Sequence, residues 1–394
     1  MSGGGGRAVA GAFALGTATG AAVLNVAAIP DEIAAAYGVG LATVGVFTTV
    51  LLVCHAGVQL PGGGAIDRFG ARSVGLFAIV VMAASNAAAL AAPEPALALV
   101  ARAISGIGSG VGFIAGSDYI RATGGSAIVQ GAYGGIGMGG AGLALALVPQ
   151  LEPSAGWRAP FFFVVAIASA ALVAWLLGPR DVVRPQPAGT AAGAVLRLAA
   201  DRSLVRLGVL HVASTGFGLL VGAWVVALLV RQDISQSAAG AIGGLTLIVT
   251  MAARPLGGWI VQHRPGWVRT AVAASLLAGG LGCAGLAVGS TAVAVVAAIA
   301  VGIGSGLAFA ALFTGAVRLR PDAPGAAIGV VNMYGTLAAL AATPVLGLAF
   351  SLPGEGRIGF LAVAALWAAS ALAVPKADQL GLAPEPLPSG AAAR

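Results

Sequence analysis

Long apolar stretches separated by short polar ones form the pattern of this chain. Twelve of these stretches come close to the roughly 20 residues that an α-helix needs to cross a bilayer. We number them segments 1 to 12. They cover residues 8–29, 41–66, 73–92, 96–119, 126–148, 161–178, 204–230, 238–261, 270–288, 292–317, 326–350 and 358–374. The pattern predicts an all-α membrane protein with twelve transmembrane helices.

The pattern is interrupted once, between segments 6 and 7, by a stretch rich in proline and arginine. We therefore predict a first six-helix bundle over residues 1–178, a cytoplasmic linker over 179–203 and a second bundle over 204–374. A cytoplasmic tail would follow over 375–394. Segment 1 is apolar over about 22 residues, which is longer than the ~7–15 of a signal-peptide core. It is therefore expected to be retained as the first helix.

A short internal repeat relates the two halves of the chain. The sequence Gly-Ile-Gly-Ser-Gly begins at Gly106 in segment 4 and again at Gly302 in segment 10. A phenylalanine follows at the same distance in both copies, as Phe113 and Phe309. Segments 5 and 11 share a second repeated sequence, Ala-Ile followed by Tyr-Gly. Both copies enter the membrane in the same direction, as in a parallel repeat. The two six-helix bundles are therefore expected to be pseudo-symmetric.

Composition and charge support a membrane protein and predict its orientation. Hydrophobic residues make up 59% of the chain and charged residues 8%, against about 25% charged residues in soluble domains. With both termini cytoplasmic, fifteen basic residues face the cytoplasm and three face outside, which is a strong positive-inside bias. We expect a multi-pass protein of the cytoplasmic (inner) membrane of a bacterium. The net charge of +7 is spread over short loops, so no nucleic-acid partner is expected.

Nothing in the sequence indicates catalysis or a cofactor. The two cysteines, Cys54 and Cys283, both fall inside segments, which argues against a disulfide or a cysteine metal site. No group of His, Asp and Glu has metal-ligand spacing, and the loops are too short for an extramembrane domain. We therefore predict that the chain is not an enzyme, binds no cofactor or metal, and acts as a monomer in the lipid bilayer.

The loop between segments 2 and 3 carries the densest cluster of glycine and charge in the first hundred residues. It reads Gly-x-x-x-Asp-Arg-x-Gly-x-Arg from Gly63 to Arg72. Gly63 is expected to let helix backbones approach closely, and Gly70 to form a tight turn. Asp67 is expected to cap a neighbouring helix, and Arg68 and Arg72 to hold the loop on the cytoplasmic side.

This pattern, in its place between two hydrophobic segments, resembles the loop 2–3 signature of the major facilitator superfamily, although Ala71 stands where that family often has arginine. The resemblance implies the major facilitator fold, with two six-helix bundles around a central cavity, and transport by alternating access. It also implies that Asp118, at the inner end of segment 4, pairs with Arg68 or Arg72. That ion pair would latch the inner gate; a proton-carrying role for Asp118 is the alternative.

Two arginines lie inside segments, where charge is costly and therefore points to function. Arg102 in segment 4, with glycines four and six residues later, resembles a superfamily motif linked to proton-coupled transport and to structure. Arg254 opens Arg-Pro-Leu-Gly-Gly-Trp in segment 8, which resembles the nitrate/nitrite porter branch, whose arginine binds the anion. Gln59 and Gly135 stand where that branch has a second arginine and an asparagine, so nitrate itself is not expected. Snorkelling toward the nearer interface is the alternative for both arginines.

Polar side chains recur at spacings of three, four or seven within several segments, so each set shares one helix face. Such faces should line the bundle interior or a water-filled cavity, because a polar group facing lipid is costly. The residues predicted to bind solute are Asn25, His55, Gln59, Gln130, Tyr133, His211, Arg254, Asn332 and Thr336. If transport is coupled to proton movement, the candidate proton-coupling residues are Arg102, His55 and His211. Histidine side chains titrate near neutral pH. The alternative is that the histidines are satisfied polar residues and that Thr336 bonds its own helix backbone.

These features predict a secondary active transporter that moves a small solute by alternating access. Two intramembrane arginines and no carboxylate at cavity depth favour an anionic or hydrogen-bonding solute over a cation. The first alternative is a proton-coupled efflux antiporter of apolar compounds or drugs, based on Arg102 and a mostly apolar lining. A second alternative, from another class, is a polytopic membrane enzyme or receptor, for which the sequence offers no catalytic cluster.

Overall fold

The computed structural model describes residues 3–124, 127–180, 198–321 and 324–376, and these residues are almost entirely helical, with no β-strand. In the first half, α1 spans Gly3–Leu24, α2 Pro30–Tyr37, α3 Leu41–Phe69, α4 Ala71–Ala89, α5 Pro95–Ala122, α6 Ala127–Ala155 and α7 Ala159–Leu176. In the second half, α8 spans Arg202–His211, α9 Phe217–Val230, α10 Gln236–His263, α11 Val268–Leu286, α12 Thr291–Gly306, α13 Phe309–Leu319, α14 Pro324–Leu348 and α15 Arg357–Ser370.

The number of membrane crossings agrees with the sequence pattern. Within the described residues, ten helical runs are long and apolar enough to cross a membrane, and the shorter run Arg357–Ala373 is apolar as well. One of the ten, Ala132–Leu176, extends over 45 residues and contains both α6 and α7, because the chain reverses through the 3₁₀ turn Gly156–Arg158. The runs together provide twelve crossings, which confirms the predicted fold class. The predicted linker lies mostly outside the described residues, so the domain boundaries stay a prediction.

Helix ends follow from local chemistry. Proline stands in the first turn of α2, α5 and α7, where its missing N–H is not needed. Asp201 caps α8 by accepting hydrogen bonds from the N–H groups of Ser203 at 3.0 Å and Leu204 at 3.1 Å. Gly70 alone separates α3 from α4 and has a φ of 81°. The tight turn expected at this glycine is therefore present.

Segments 7 and 10 each run as one spanning helix, as the pattern predicts, but each contains a local irregularity. Segment 7 is divided into α8 and α9 by a π-helical turn over Val212–Gly216, and segment 10 into α12 and α13 at Leu307 and Ala308. Apolar composition continues through Leu307 and Ala308, so hydropathy does not reveal the second irregularity, whereas the first coincides with Ser214, Thr215 and Gly216. Helix α2 is also additional, because its eight residues begin with an acidic turn and carry no spanning apolar run.

The Gly-Ile-Gly-Ser-Gly repeat has the same packing role in both halves. Gly106 and Gly110 lie so close to α3 that a Cβ atom on either would collide with a backbone carbonyl oxygen. Gly302 and Gly306 make the same contact with the backbone of α10. The middle glycine of each copy lies against the next helix, α4 or α11. The repeat therefore holds α5 between α3 and α4, and α12 between α10 and α11.

The two halves meet along two helix pairs, α6 with α10 and α3 with α14, which the repeat makes equivalent. We call the end of the bundle at which α1 begins the inner end, and the opposite end the outer end. Near the outer end, Gly240 of α10 touches the backbone of α6, and Gly45 of α3 touches the side chain of Trp224. Toward the inner end, Gly134 of α6 and Gly329 of α14 have open space where a Cβ atom would stand. The halves therefore leave open space between them at these two glycines, although the carbonyl oxygen of Gly134 still accepts a hydrogen bond from Arg254 of α10.

We predict that Gly106→Ala destabilises the protein by about 1–3 kcal/mol, because α3 and α5 must move apart to admit the methyl group. Gly57→Ala on α3 is the matched control. No atom lies near the position of its Cβ, and alanine is the better helix former by roughly 0.8–1.0 kcal/mol. Thermal unfolding in detergent measures the difference between the variants. A Gly106→Ala protein that unfolds at the wild-type temperature would contradict this close packing.

Candidate solute-binding cavity

A cavity of about 430 Å³ lies between the two halves and extends from the middle of the bundle toward its inner end. The first half contributes residues of α1, α3, α5 and α6. The second half contributes residues of the π-helical turn and of α8, α9, α10, α13 and α14. The volume is within the range of ordinary small-molecule sites. Among the described residues of its wall, none is Asp, Glu or Lys, and Arg254 is the one arginine.

Most residues predicted to bind solute come together in this cavity. Those that line it are His55, Gln59, Tyr133, His211, Arg254, Asn332 and Thr336. Asn25 is not among them, because its side chain accepts a hydrogen bond from Arg102 and donates one to the carbonyl oxygen of Pro160 at 3.2 Å. The side chain of Gln130 lies outside the described residues. Solute binding by the lining residues stays a prediction.

Arg254 projects from α10 into the cavity wall and is only 6% exposed. Its guanidinium donates a hydrogen bond to the carbonyl oxygen of Gly134 on α6, and its Cζ atom lies 3.9 Å from the centre of the Phe309 ring. The Nε atom has no hydrogen-bond partner in the described part of the chain. The side chain therefore stays at cavity depth instead of extending to the inner interface, and it keeps a donor for a further partner.

His211 and Thr215 stand beside the irregular turn of segment 7. His211 ends α8, Thr215 lies within the π-helical turn, and both line the cavity. The His211 ring packs against Phe313 with ring centres 5.1 Å apart. The Asn332 amide approaches this ring, yet neither ring nitrogen nor the Thr215 hydroxyl has a hydrogen bond of ordinary geometry to a described residue. Turns of this kind often occur at functional sites.

His55 on α3 has a defined partner. Its Nδ1 atom lies 2.9 Å from the hydroxyl oxygen of Ser109, which itself donates to the carbonyl oxygen of Gly106 at 3.1 Å. Because the Ser109 hydroxyl already donates its hydrogen to the carbonyl oxygen of Gly106, we assign Nδ1–H of His55 as the donor to the Ser109 oxygen. The Nε2 atom is then the acceptor of the neutral ring.

Two stacked aromatic pairs line the cavity, one in each half. Phe113 and Tyr133 have ring centres 5.5 Å apart and planes at 26°. Phe309 and Phe313 have ring centres 4.2 Å apart and planes at 23°. Only Tyr133 is among the predicted site residues. The phenylalanines that follow the glycine repeat, Phe113 and Phe309, are visible in the sequence, but their place in the cavity depends on the packing of the two halves.

Arg102 neither snorkels nor lines the cavity. It is 1% exposed and donates to the carbonyl oxygens of Ala22 at 2.6 Å, Val23 at 2.9 Å and Phe47 at 3.2 Å. It also donates to the side-chain oxygen of Asn25 at 2.7 Å. Ala22 and Val23 lie at the C-terminal end of α1, where unpaired carbonyl groups and the helix dipole favour a cation. The structure thus gives Arg102 a packing role, and a coupling role stays a prediction.

The ion pair expected between Asp118 and Arg68 or Arg72 is not formed. Asp118 instead pairs with Arg121, one turn further along α5, with 2.9 Å between Oδ1 and Nε. Arg72 donates to the carbonyl oxygen of Gly178 at 2.6 Å, just beyond the end of α7. A side chain in this position stabilises the carbonyl end of a helix. The expected pair belongs to the conformation in which the inner ends meet, so it stays a prediction for that conformation.

The close backbone approach expected at Gly63 is not seen among the described residues, none of which has an atom near the position of its Cβ. The guanidinium of Arg68 lies 5.1 Å from the centre of the neighbouring Phe69 ring. The side chain of Asp67 lies outside the described residues. This region belongs to the inner end of α3, where the halves are apart. A latch at the inner gate therefore stays a prediction for the conformation in which the inner ends meet.

We predict that Arg102→Gln lowers the free energy of unfolding by at least ~3 kcal/mol, because several buried carbonyl oxygens lose their donor. Arg158→Gln is the control. Arg158 is an exposed arginine that donates to the carbonyl oxygen of Leu90 at 3.3 Å, and its loss should change stability by no more than ~0.5 kcal/mol. Thermal unfolding in detergent compares the two. An Arg102→Gln protein with wild-type stability and lost proton dependence of transport would contradict the packing role.

Comparison with known proteins agrees with this architecture. The model of the family described as Major Facilitator Superfamily matches residues 10–343. The crystal structure of a mutant of the nucleoside transporter NupG is similar over 94% of this chain and 98% of that chain, with a TM-score of 0.74 and 14% identity. That identity shows a shared fold alone, and no curated protein matches the sequence. The chain therefore belongs to the major facilitator superfamily and is a multi-pass membrane transporter of small solutes.

Proposed function

We propose that this transporter carries a small anionic solute and moves it by alternating access, with the cavity opening first to one end of the bundle and then to the other. The observation that carries the proposal is Arg254, a buried fixed cation in the wall of a cavity between the two halves. The finer resemblance to the nitrate/nitrite branch stays a prediction, since Gln59 replaces its second arginine.

The charge of Arg254 is not neutralised by a neighbouring carboxylate in the described structure. Its observed partners are a carbonyl oxygen and an aromatic face, and the described wall of the cavity contains no acid. A buried ion costs several kcal/mol when it is unpaired, and a charge-assisted hydrogen bond to a bound anion offsets part of that cost. An organic cation would instead meet a like charge. These features support an anionic solute.

The contacts between the halves support alternating access. At the outer end, the guanidinium of Arg231, which follows α9, donates to both carboxylate oxygens of Asp31 on α2, at 2.5 Å and 2.8 Å. Its Cζ atom also lies 5.1 Å from the centre of the Phe350 ring. Of the ion pairs found among the described residues, this one alone joins the two halves. Any motion that separates the outer ends has to break it.

Efflux of apolar compounds is the second candidate function. The stacked aromatic pairs in the cavity favour it, because they offer an apolar surface from both halves. The proton-coupling candidates His55 and His211 line the same cavity. The NupG structure is that of a nucleoside transporter, so a nucleoside is included below as a neutral, hydrogen-bonding solute. A transport experiment with several solutes separates these possibilities.

Uptake into proteoliposomes tests the proposal. The panel contains monocarboxylates, a nucleoside and an organic cation, each with and without a pH gradient. We expect uptake of a monocarboxylate and none of the cation. For the transported anion, Arg254→Ala should lower transport efficiency about 10- to 100-fold, as expected for the loss of a charged hydrogen bond of about 1.5–3 kcal/mol.

Arg264→Ala is the matched control for this variant, because Arg264 follows the last residue of the same helix and lies outside the cavity. Its transport should equal that of the wild type. An Arg254→Ala protein with unchanged half-saturation and rate would contradict the role of Arg254. Transport of the organic cation by the wild type would favour the efflux alternative.

We predict that Asp31→Asn increases the fraction of molecules that are open at the outer end. The reporter is Val23→Cys, a cavity position on α1, in a Cys54→Ser background, labelled by a membrane-impermeant maleimide from the outer side. Labelling should be roughly two- to fivefold faster, since a partly exposed ion pair contributes about 0.4–1 kcal/mol. Glu32→Gln, which changes the adjacent carboxylate, should leave the rate unchanged. Equal rates for Asp31→Asn and its parent would argue against the outer closure.

A further inference from the structure

We infer that the solute is a planar aromatic carboxylate, bound with its carboxylate against Arg254 and its ring between the aromatic pairs of the two halves. The inference rests on the proposed function and narrows its solute from an anion to one chemical class. Two features of the cavity carry it. Polar atoms without partners lie on one wall, and stacked aromatic rings lie on both.

Three buried side chains of the second half present polar atoms without hydrogen-bond partners among the described residues. These atoms are Nε of Arg254, the hydroxyl oxygen of Thr215 and the ring nitrogens of His211, which the Asn332 amide approaches without a hydrogen bond of ordinary geometry. The side chains are 6%, 8% and 1% exposed, respectively, and all three line the cavity. Buried polar atoms of native proteins nearly always have partners. We therefore assign the missing partner to the solute.

A carboxylate matches this set of atoms. Nε–H of Arg254 and the hydroxyl of Thr215 are donors, and a neutral His211 ring adds one N–H donor. The two oxygens of a carboxylate accept about four hydrogen bonds between them. Arg254 and His211 also share a neighbour, because the Phe309 ring centre lies 3.9 Å from the Cζ atom of Arg254 and 5.9 Å from the centre of the His211 ring. One acceptor group can therefore serve one side of the cavity.

Aromatic faces form the adjacent and the opposite wall. Phe309 and Phe313 stack in the second half, beside the donors, and Phe113 and Tyr133 stack in the first half. The Tyr133 hydroxyl donates to the carbonyl oxygen of Phe113 at 2.8 Å, and the Tyr133 ring, which is 1% exposed, packs behind the Phe113 ring. A flat conjugated ring stacks on such faces more favourably than a saturated ring of the same size. The apolar part of the solute is therefore expected to be aromatic.

The distribution of charge points to a single carboxylate. Arg254 is the one side chain with a fixed charge in the described wall of the cavity. A second carboxylate on the solute would lie against the phenylalanine rings without a counter-charge, which is costly in a buried site. An inorganic anion would reach the donors but leave both aromatic walls uncovered. A monocarboxylate attached to a ring satisfies both parts of the cavity.

Binding of three probes to the purified full-length protein tests the inference. Benzoate has the ring and the charge, cyclohexanecarboxylate has the charge on a saturated ring with the same number of heavy atoms, and benzamide has the ring without the charge. Isothermal titration calorimetry measures their dissociation constants. We expect benzoate to bind about fivefold or more tightly than cyclohexanecarboxylate and about tenfold or more tightly than benzamide.

Two variants remove one ring from each wall without altering a residue that contacts Arg254. Phe313→Leu and Phe113→Leu should each weaken benzoate about three- to tenfold and change cyclohexanecarboxylate less than about twofold. Phe162→Leu is the matched control, because Phe162 of α7 is 47% exposed and lies outside the cavity. Thermal unfolding establishes that each variant is folded, and either cavity variant is sufficient if the other does not fold.

Each contrary result removes a defined part of the inference. If benzoate and cyclohexanecarboxylate bind with equal affinity, and Phe313→Leu changes neither affinity, the aromatic subsite is overturned. The proposal of an anionic solute is unaffected by that result. Equal affinities for benzoate and benzamide would overturn the carboxylate subsite. If none of the three probes binds, the substrate class is overturned, whereas the proposed transport function is decided separately by the uptake panel.

Discussion

Inside a bilayer, a charged side chain has to find its partners within the protein, and the two intramembrane arginines of this chain meet that constraint in different ways. Arg102 donates to three backbone carbonyl oxygens and to Asn25, and so closes the C-terminal end of α1. Arg254 has one carbonyl partner and an aromatic neighbour, with Nε left over. The same residue type therefore stabilises the fold at one position and leaves an electrostatic site at the other. The chemistry of the cavity depends on this difference.

The two halves share their packing but differ in their cavity chemistry. The glycine repeat brings α5 against α3 in the first half and α12 against α10 in the second by the same close backbone contact. The irregular turns that border the cavity occur in the second half, at Val212–Gly216 and at Leu307 and Ala308. They lie next to His211, Thr215 and Phe309. Irregular turns within helices are frequent near functional sites, because they alter the regular backbone hydrogen bonding there.

Much of this architecture could be predicted from the sequence. Hydropathy alone locates twelve crossings, because the cost of unpaired backbone in lipid leaves few alternatives to helices of spanning length. Helix periodicity also brings His55, Gln59 and Arg254 to one cavity, since a polar face has to point away from lipid. The resemblance of the Gly63–Arg72 pattern to the major facilitator superfamily was confirmed by the family match over residues 10–343.

The remaining features depend on contacts that no single helix encodes. Asn25 has the right place on its helix for a binding residue, but Arg102 from another helix uses it. The partner of Asp118 depends on how far apart the inner ends stand, and in this conformation it is Arg121. The interruption at Leu307 and Ala308 leaves the apolar pattern intact, so periodicity cannot reveal it. Phe313 joins the site only because α13 packs beside His211.

The most direct test of the central claim is a crystal structure of the protein with 4-bromobenzoate, using the anomalous signal of bromine to fix the orientation of the molecule. We predict a carboxylate within hydrogen-bond distance of the Arg254 guanidinium, with bromine on the side of the Phe113 and Tyr133 rings. A molecule bound at another cationic side chain such as Arg231, or one whose carboxylate points away from Arg254, would contradict an anion site at Arg254.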